Sequence, residues 1–293
     1  MPSNLIHAIN NEEHIAVVIA DVTEICQEAE TRHFAGRIPA TAMAKALLAA
    51  ALIGHSLKDH ERQSLQINFN GKLKTVFAEA DSEGRVRGFV QDNALPDMDA
   101  TMARWTAALG TESQLAVVRS REGKLLYNGS VHVESPTITR DVNQYLHESE
   151  QLYAVLEMNA QYKDQGITKV RGVFAQLLPG GDEKHFAKVK ALFDDGEVFE
   201  QLAHGASNEE LYQLISPGGK FVQKAIKPLT FTCQCSRERV RGMLKAIGIP
   251  SLREIVEEDK RSEITCHFCN ATYVLELPEL EEILAEAESE KSA

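Results

Sequence analysis

The sequence has too little positive charge to hold a polyanion. Lys and Arg number 31 against 43 Asp and Glu, a formal net charge of -12. Nucleic-acid surfaces are built on clustered Lys and Arg, so this balance argues against a phosphate-tracking role. A membrane-length apolar run is also missing. The most apolar stretch, Ala46 to Leu57, lies between Lys45 and Lys58 and is about a dozen residues long, where a span needs ~20. The opening MPSNLIHAINNEEH has no basic segment leading into an apolar core, so no secretory signal is read there. Internal repeats, low-complexity tracts, a P-loop, a Gly-x-Gly-x-x-Gly loop and a serine–histidine–acid constellation are all absent. The expectation is a soluble cytoplasmic protein that binds neither nucleic acid nor membrane.

Cysteine is scarce, with five in 293 residues. In a reducing compartment so few thiols do not make a disulfide framework, and metal binding or thiol chemistry is the better reading. Four of them fall in two pairs, Cys233-Gln-Cys235 and Cys266-His-Phe-Cys269. The second pair has the spacing of a zinc knuckle, and the first is one residue shorter. A module of about 60 residues buries too little apolar surface to be comfortably stable alone, and zinc held by four thiolates would supply the missing free energy. Four sulfurs complete a tetrahedron. No position is then left for a catalytic water, and His267 is not needed as a ligand.

Metal-held thiolates remain the form that oxidants attack, so the same four sulfurs can act as a redox switch. Arg237, Arg239 and Arg241 follow the first pair, and nearby positive charge is expected to favour the thiolate. Each pair is close enough in sequence to close on itself. A Cys-x-Cys ring would be strained and easily reduced again. Cys26 stands alone and reads as a small core or rim residue.

Elsewhere the pattern is α+β, with strands grouped rather than alternating regularly with helices. His14 to Ala20 reads as a largely buried strand and Ile38 to Leu48 as an alanine-rich helix started at Pro39. Ser64–Phe69, Lys74–Ala80 and Arg85–Gln91 read as strands joined at Asn70-Gly71 and Glu83-Gly84. Leu115–Ser120 and Lys124–Val133 form a hairpin around Glu122-Gly123. Asp141 to Tyr153 is helical, and Val170 to Leu178 is a strand. These place a large mixed sheet-and-helix core at 1–178.

Residues 179–230 turn helical and weak. Phe186, Val189, Leu192 and Phe193 share one face, and Ser207 with Glu210 forms a capping box. Helices this short need a surface to pack on, so the segment is expected to be a metastable linker. An ordinary helical extension of the core is the plain alternative. Residues 231–293 form the zinc module. Its first helix is capped by Ser236 and stopped by Gly248 and Pro250. A second begins at a Ser251–Glu254 capping box, strands flank the second cysteine pair, and the acidic tail 279–290, with Leu280, Ile283 and Leu284 on one side, reads as a solvated helix or a frayed end.

At Phe231-Thr-Cys233-Gln-Cys235-Ser-Arg-Glu-Arg-Val240 and Thr265-Cys266-His-Phe-Cys269-Asn270 the chain resembles the redox-regulated 33-kilodalton chaperonins. Gln176-Leu-Leu-Pro-Gly180, Gly84-Arg-Val-Arg-Gly-Phe89 and the helix near Ala40 extend the resemblance over nearly the whole chain. Asn70-Gly71-Lys72-Leu73-Lys74 departs from it, with one glycine where the family often has two.

The resemblance implies an ATP-independent holdase, not an enzyme, that is inactive when reduced with one zinc on Cys233, Cys235, Cys266 and Cys269. Oxidation would form Cys233–Cys235 and Cys266–Cys269 disulfides and release the zinc. The 179–230 linker would then unfold, and the 1–178 core would bind unfolding clients and pair as a homodimer. Two other readings compete. A zinc-ribbon nucleic-acid module would want a basic face, but residues 231–293 hold 8 Lys/Arg against 13 Asp/Glu, a net of -5. A thiol oxidoreductase would want a thioredoxin-like βαβ setting around Cys266, which is missing.

Overall fold

The computed structural model describes residues 2–33, 36–91, 101–164 and 166–292. Contacts divide the chain into two compact units, Met1–Thr232 and Cys233–Ala293.

The first unit is built on two sheets. One holds β1 (Asn4–Asn10), β2 (Ile15–Asp21), β8 (Ala154–Lys163), β9 (Gly166–Leu177) and β10 (Val222–Pro228), in the order β10-β1-β2-β9-β8. The other holds β3 (Glu61–Phe69), β4 (Thr75–Asp81), β5 (Arg85–Val90), β6 (Glu112–Arg121), β7 (Lys124–Glu134) and β11 (Thr230–Phe231), ordered β11-β5-β4-β3-β6-β7. Neighbours pair antiparallel, with β11 parallel to β5 as the exception. Glu122 and Gly123 both take positive φ at the β6–β7 turn, as a two-residue hairpin of matching twist requires. At the β3–β4 turn the positive φ falls on Lys74 (63°), not on the expected Asn70-Gly71.

Helix α2 (Arg37–Ile53) packs on strands of both sheets and has nearly every side chain buried. Its alanines let the sheets approach, and glycine on each sheet makes room for its leucines. A Cβ at Gly88 of β5 would meet Leu47 Cδ2 at 3.0 Å, and one at Gly172 of β9 would meet Leu48 Cδ2 at 3.0 Å. α4 (Ile138–Glu148) also packs here, its Asp141 carboxylate accepting from Ser113 Oγ in the core.

The even-numbered Val18 and Ala20 of β2 face α2, and the odd-numbered Ile15, Val17 and Ile19 face away from it. That second face is covered by α5 (Glu183–Asp194), α6 (Glu197–His204) and α7 (Asn208–Ile215). Phe186, Val189, Phe193, Val198, Leu202 and Leu211 bury there. β2 is a continuous apolar run because both of its faces are covered. The three helices are too short to persist alone, and burial at about 1.5–3 kcal/mol per large side chain holds them down. Ser207 and Glu210 form the expected capping box on α7.

Some elements differ from the sequence reading. Residues 222–228, expected to continue a helical stretch, form edge strand β10 along β1. Its side chains are mostly exposed, so no apolar alternation announces it. β1, β8, α1 (Thr23–His33) and α3 (Met102–Leu109) were also unannounced. α1 is mostly polar and buries only Ile25, Cys26, Ala29 and His33.

The second unit contains α8 (Arg237–Ala246), α9 (Ile249–Glu254), a π-helical turn Ile255–Asp259, the hairpin β12 (Arg261–Thr265) and β13 (Thr272–Glu276), and α10 (Leu277–Ser292). Pro250 opens α9 rather than only ending α8, and the N-cap is Gly248 rather than Ser251. α10 is no free tail. Leu280 and Ile283 are fully buried, because a stripe at i and i+3 is enough to dock an otherwise acidic helix.

Candidate metal centre

The apolar core of the second unit is small. Val240, Leu244, Leu252, Leu275, Leu280 and Ile283 are its buried members. A core of that size is marginal for an independent unit.

Local structure places each pair. Cys233 and Cys235 immediately precede Ser236, whose hydroxyl caps α8 by accepting from the Arg239 amide at 3.3 Å. Cys266 and Cys269 form the turn of the β12–β13 hairpin. The Cys266 amide donates to the Ala271 carbonyl at 2.9 Å and the Asn270 amide to the Cys266 carbonyl at 2.8 Å. Asn270 takes φ 57°, a left-handed turn position that asparagine tolerates well.

The four sulfurs converge to within 4.8 Å of one another. Cys233 Sγ lies 3.6 Å from Cys266 Sγ, and Cys235 Sγ lies 3.3 Å from Cys269 Sγ, so contacts run across from one pair to the other. Tetrahedral zinc with Zn–S near 2.3 Å would set its sulfurs about 3.8 Å apart. The donor set and its spacing therefore fit a metal ion such as zinc. His267 is exposed and outside the four-sulfur group. Cys26 is a buried core thiol on α1, pushed well up by burial, with Sγ 3.9 Å from the Ala44 carbonyl.

The thiols are electrostatically unequal. Burial alone would raise Cys235, but hydrogen bonds from the Tyr273 hydroxyl and the neighbouring thiols bring it down to about 7. Burial pushes Cys269 and Cys233 upward. Tyr273 itself is pushed up to about 12, chiefly by its hydrogen bond to Cys235. A group poised near neutrality beside others held protonated is a site whose charge depends on what occupies it.

Of the three arginines expected to favour thiolates, Arg237 and Arg241 are engaged with carboxylates of α10, and Arg239 bonds the backbone between the first cysteine pair. Arg237 Nη2 donates to Glu279 Oε2 at 2.5 Å and to the Val274 carbonyl at 2.7 Å. Arg241 faces Glu279, Glu282 and Glu286, and Lys245 extends the row to Glu290. Arg239 Nη1 donates to the Gln234 carbonyl at 2.9 Å. The basic face formed by Arg237, Arg241 and Lys245 is thus matched to the acidic face of α10, a pairing set by i, i+4 spacing on α8 and by i, i+3 and i, i+4 spacing on α10. Tyr273 was missed in the sequence. It shares a strand face with the buried Leu275, and period-two alternation from that leucine was the signal available.

Among known proteins, the sequence model of the Hsp33 protein family matches residues 3–276. The 33 kDa chaperonin of Synechococcus sp. (strain JA-3-3Ab) is 31% identical over 291 residues, covering 98% of this chain and 91% of that protein. The 33 kDa chaperonin of Clostridioides difficile (strain 630) is 29% identical over 290 residues, covering 98% and 100%. The crystal structure of a 33 kDa chaperonin from Thermotoga maritima superimposes with a TM-score of 0.88 at 21% identity, over 99% of this chain and 100% of the other.

Proposed function

This chain belongs to the Hsp33 family, and from that premise we propose that it is an ATP-independent holdase chaperone switched by the oxidation of Cys233, Cys235, Cys266 and Cys269. The observation that carries the reading is the convergence of those four sulfurs within 4.8 Å in a unit with a small core. In the reduced state the four cysteines hold one zinc ion and the protein is inactive. Bound zinc would keep the sulfurs as thiolates and tie the first pair to the hairpin.

Oxidation by a peroxide pairs Cys233 with Cys235 and Cys266 with Cys269. Each pair of thiolates gives two electrons to one peroxide, an S–S bond forms, the O–O bond breaks, and the two oxygens take up two protons from solvent and leave as water. The thiolates are then gone and nothing remains to hold zinc. Loss of metal binding removes on the order of 10 kcal/mol, comparable with a whole domain's stability, so the 231–293 module unfolds.

The 179–230 linker follows in this reading. Release of α5, α6 and α7 uncovers Ile15, Val17, Ile19 and Val173 on the sheet and the helices' own apolar faces. Contiguous apolar surface of this kind is what an unfolding client presents in turn, and capture needs no turnover. The core at 1–178 holds the client and pairs as a homodimer in the oxidised form. Among the described residues no helix is long and apolar enough to cross a membrane, and the formal net charge of -12 supports a protein without a nucleic-acid partner. A cytoplasmic setting suits a thiol switch that must start reduced.

The test is zinc release and light scattering on one sample containing a thermally unfolding protein, first reduced and then treated with peroxide. One zinc per chain should leave, and only the oxidised protein should suppress aggregation. Zinc release with equal aggregation in both states would leave the site merely structural.

A further inference from the structure

Tyr273 is on β13, opposite Ile264 of β12, and so belongs to the hairpin that carries Cys266 and Cys269. Its hydroxyl nevertheless donates to a sulfur of the other pair, Cys235 Sγ, at 3.1 Å. Its ring packs on the unit's apolar core. The hairpin and the ring contact therefore fix where the hydroxyl points, and the bond bridges the two halves of the site.

We propose that Tyr273 is a positioning residue of the thiol switch, whose hydroxyl bond to Cys235 slows attack of that sulfur on peroxide and so sets the oxidation threshold. This rests on the function proposed above. In the oxidation step a sulfur lone pair forms an S–O bond as the peroxide O–O bond breaks and hydroxide leaves. A second cysteine sulfur then displaces the oxygen, which leaves as water, and the disulfide forms. A lone pair already accepting an O–H bond is less available for the first of these events. Hydrogen bonds to cysteine sulfurs are a recognised means of tuning metal–thiolate sites.

The plain alternative is that Tyr273 matters only through its ring, as a piece of the core. Tyr273→Phe separates the two, since it keeps the ring and removes the hydroxyl. The reduced, full-length variant should bind one zinc per chain with wild-type circular dichroism. Peroxide should release that zinc about three- to tenfold faster than from wild type, the scale of one hydrogen bond to a charged acceptor partly lost in the transition state. With cobalt in place of zinc, the sulfur-to-metal charge-transfer band should move to longer wavelength, because an undonated sulfur holds its electrons less tightly.

3-Fluorotyrosine at position 273 is a stronger donor and should slow release about twofold. A Tyr273→Phe protein that matches wild type in release rate or in band position overturns the inference, as does a fluorotyrosine protein that releases zinc faster. These readouts concern the metal site and not aggregation. Wild-type zinc release without aggregation suppression would sink the proposed function and leave Tyr273's role standing. An unchanged Tyr273→Phe rate would do the reverse.

Discussion

Arg171 of β9 and Ala206, in the turn between α6 and α7, are joined by a buried charge-assisted hydrogen bond. Arg171 Nη1 donates to the Ala206 carbonyl at 2.5 Å, and Nη2 donates to Asn208 Oδ1 at 2.9 Å. Burial lowers the arginine's affinity for its proton, but a guanidinium stays charged. One side chain thus pins the helices to the sheet they cover.

Arg171→Met keeps the bulk and leaves the Ala206 carbonyl without this donor. The expected loss is about 1–3 kcal/mol, concentrated in α6 and α7. Hydrogen exchange followed by mass spectrometry should show faster exchange at 197–215 than in β2 or β9. If release of these helices gates client capture, the reduced variant should also suppress aggregation partially. Unchanged exchange at 197–215 would remove the pin from the account.

Metal removal should act first on the second unit and leave the α2 core intact. A chelator, or Cys269→Ser, is expected to unfold residues 233–292, because six buried apolar side chains are too few to replace a contribution of about 10 kcal/mol. Amides of α8, α9 and α10 should lose protection while α2 and its flanking strands keep theirs. A zinc-free unit that stays protected would show that its apolar core suffices.

The charge row between α8 and α10 gives a salt-dependent prediction. Glu279 is the shared partner of Arg237 and Arg241, and the Arg237 bond holds its carboxyl below the usual range. Its stabilisation is present above the ordinary glutamate pKa and lost as pH falls through the lowered one. Glu279→Gln should lower the thermal midpoint of this unit at low ionic strength. Screening within about 3 Å at 1 M salt should close the gap to wild type. A gap that persists at high salt would mean packing, not charge, is what the substitution disturbs.

His55 supplies an acid-sensitive term in the first unit. Burial drives it down to about 4, with its ring 5.1 Å from that of Phe174 and its Nδ1 2.9 Å from the Leu52 carbonyl. The unfolded chain binds the proton more readily, so this stabilisation is complete above pH 6.5 and is lost as pH falls toward 4. The total is about 3 kcal/mol. Asp141, raised to about 6 by burial, opposes it, since its folded state gains stability as pH falls from about 6 toward the ordinary carboxyl value. The comparison must therefore be between proteins. Urea unfolding at pH 7 and pH 4.5 should show His55→Gln losing less stability than wild type over that interval. Equal losses would exclude His55 as the source.

Local patterns in the chain were sufficient for several elements. The β-branched run of β2, the alanines of α2, the Ser207–Glu210 box and the glycine-centred β6–β7 turn each carry a signal within a few residues, because each meets a local backbone or capping requirement. β10, and the docking of α10, were not legible for the opposite reason. β10 is held by main-chain pairing to β1, and α10 by two buried side chains among many acidic ones. Neither needs a strong pattern of its own.

For the candidate site, the sequence by itself determined the ligand chemistry. Two closely spaced cysteine pairs about thirty residues apart can supply four thiolates wherever the chain goes, and residue type decides what those atoms bind. Only the tertiary structure decided what surrounds them. It turned Arg237 and Arg241 of α8 onto α10, carried the Tyr273 hydroxyl from one cysteine pair to a sulfur of the other, and laid α5, α6 and α7 on the outer face of β2. These contacts join residues tens to hundreds of positions apart. Their energies depend on distance and burial in three dimensions, which no local spacing in the chain encodes.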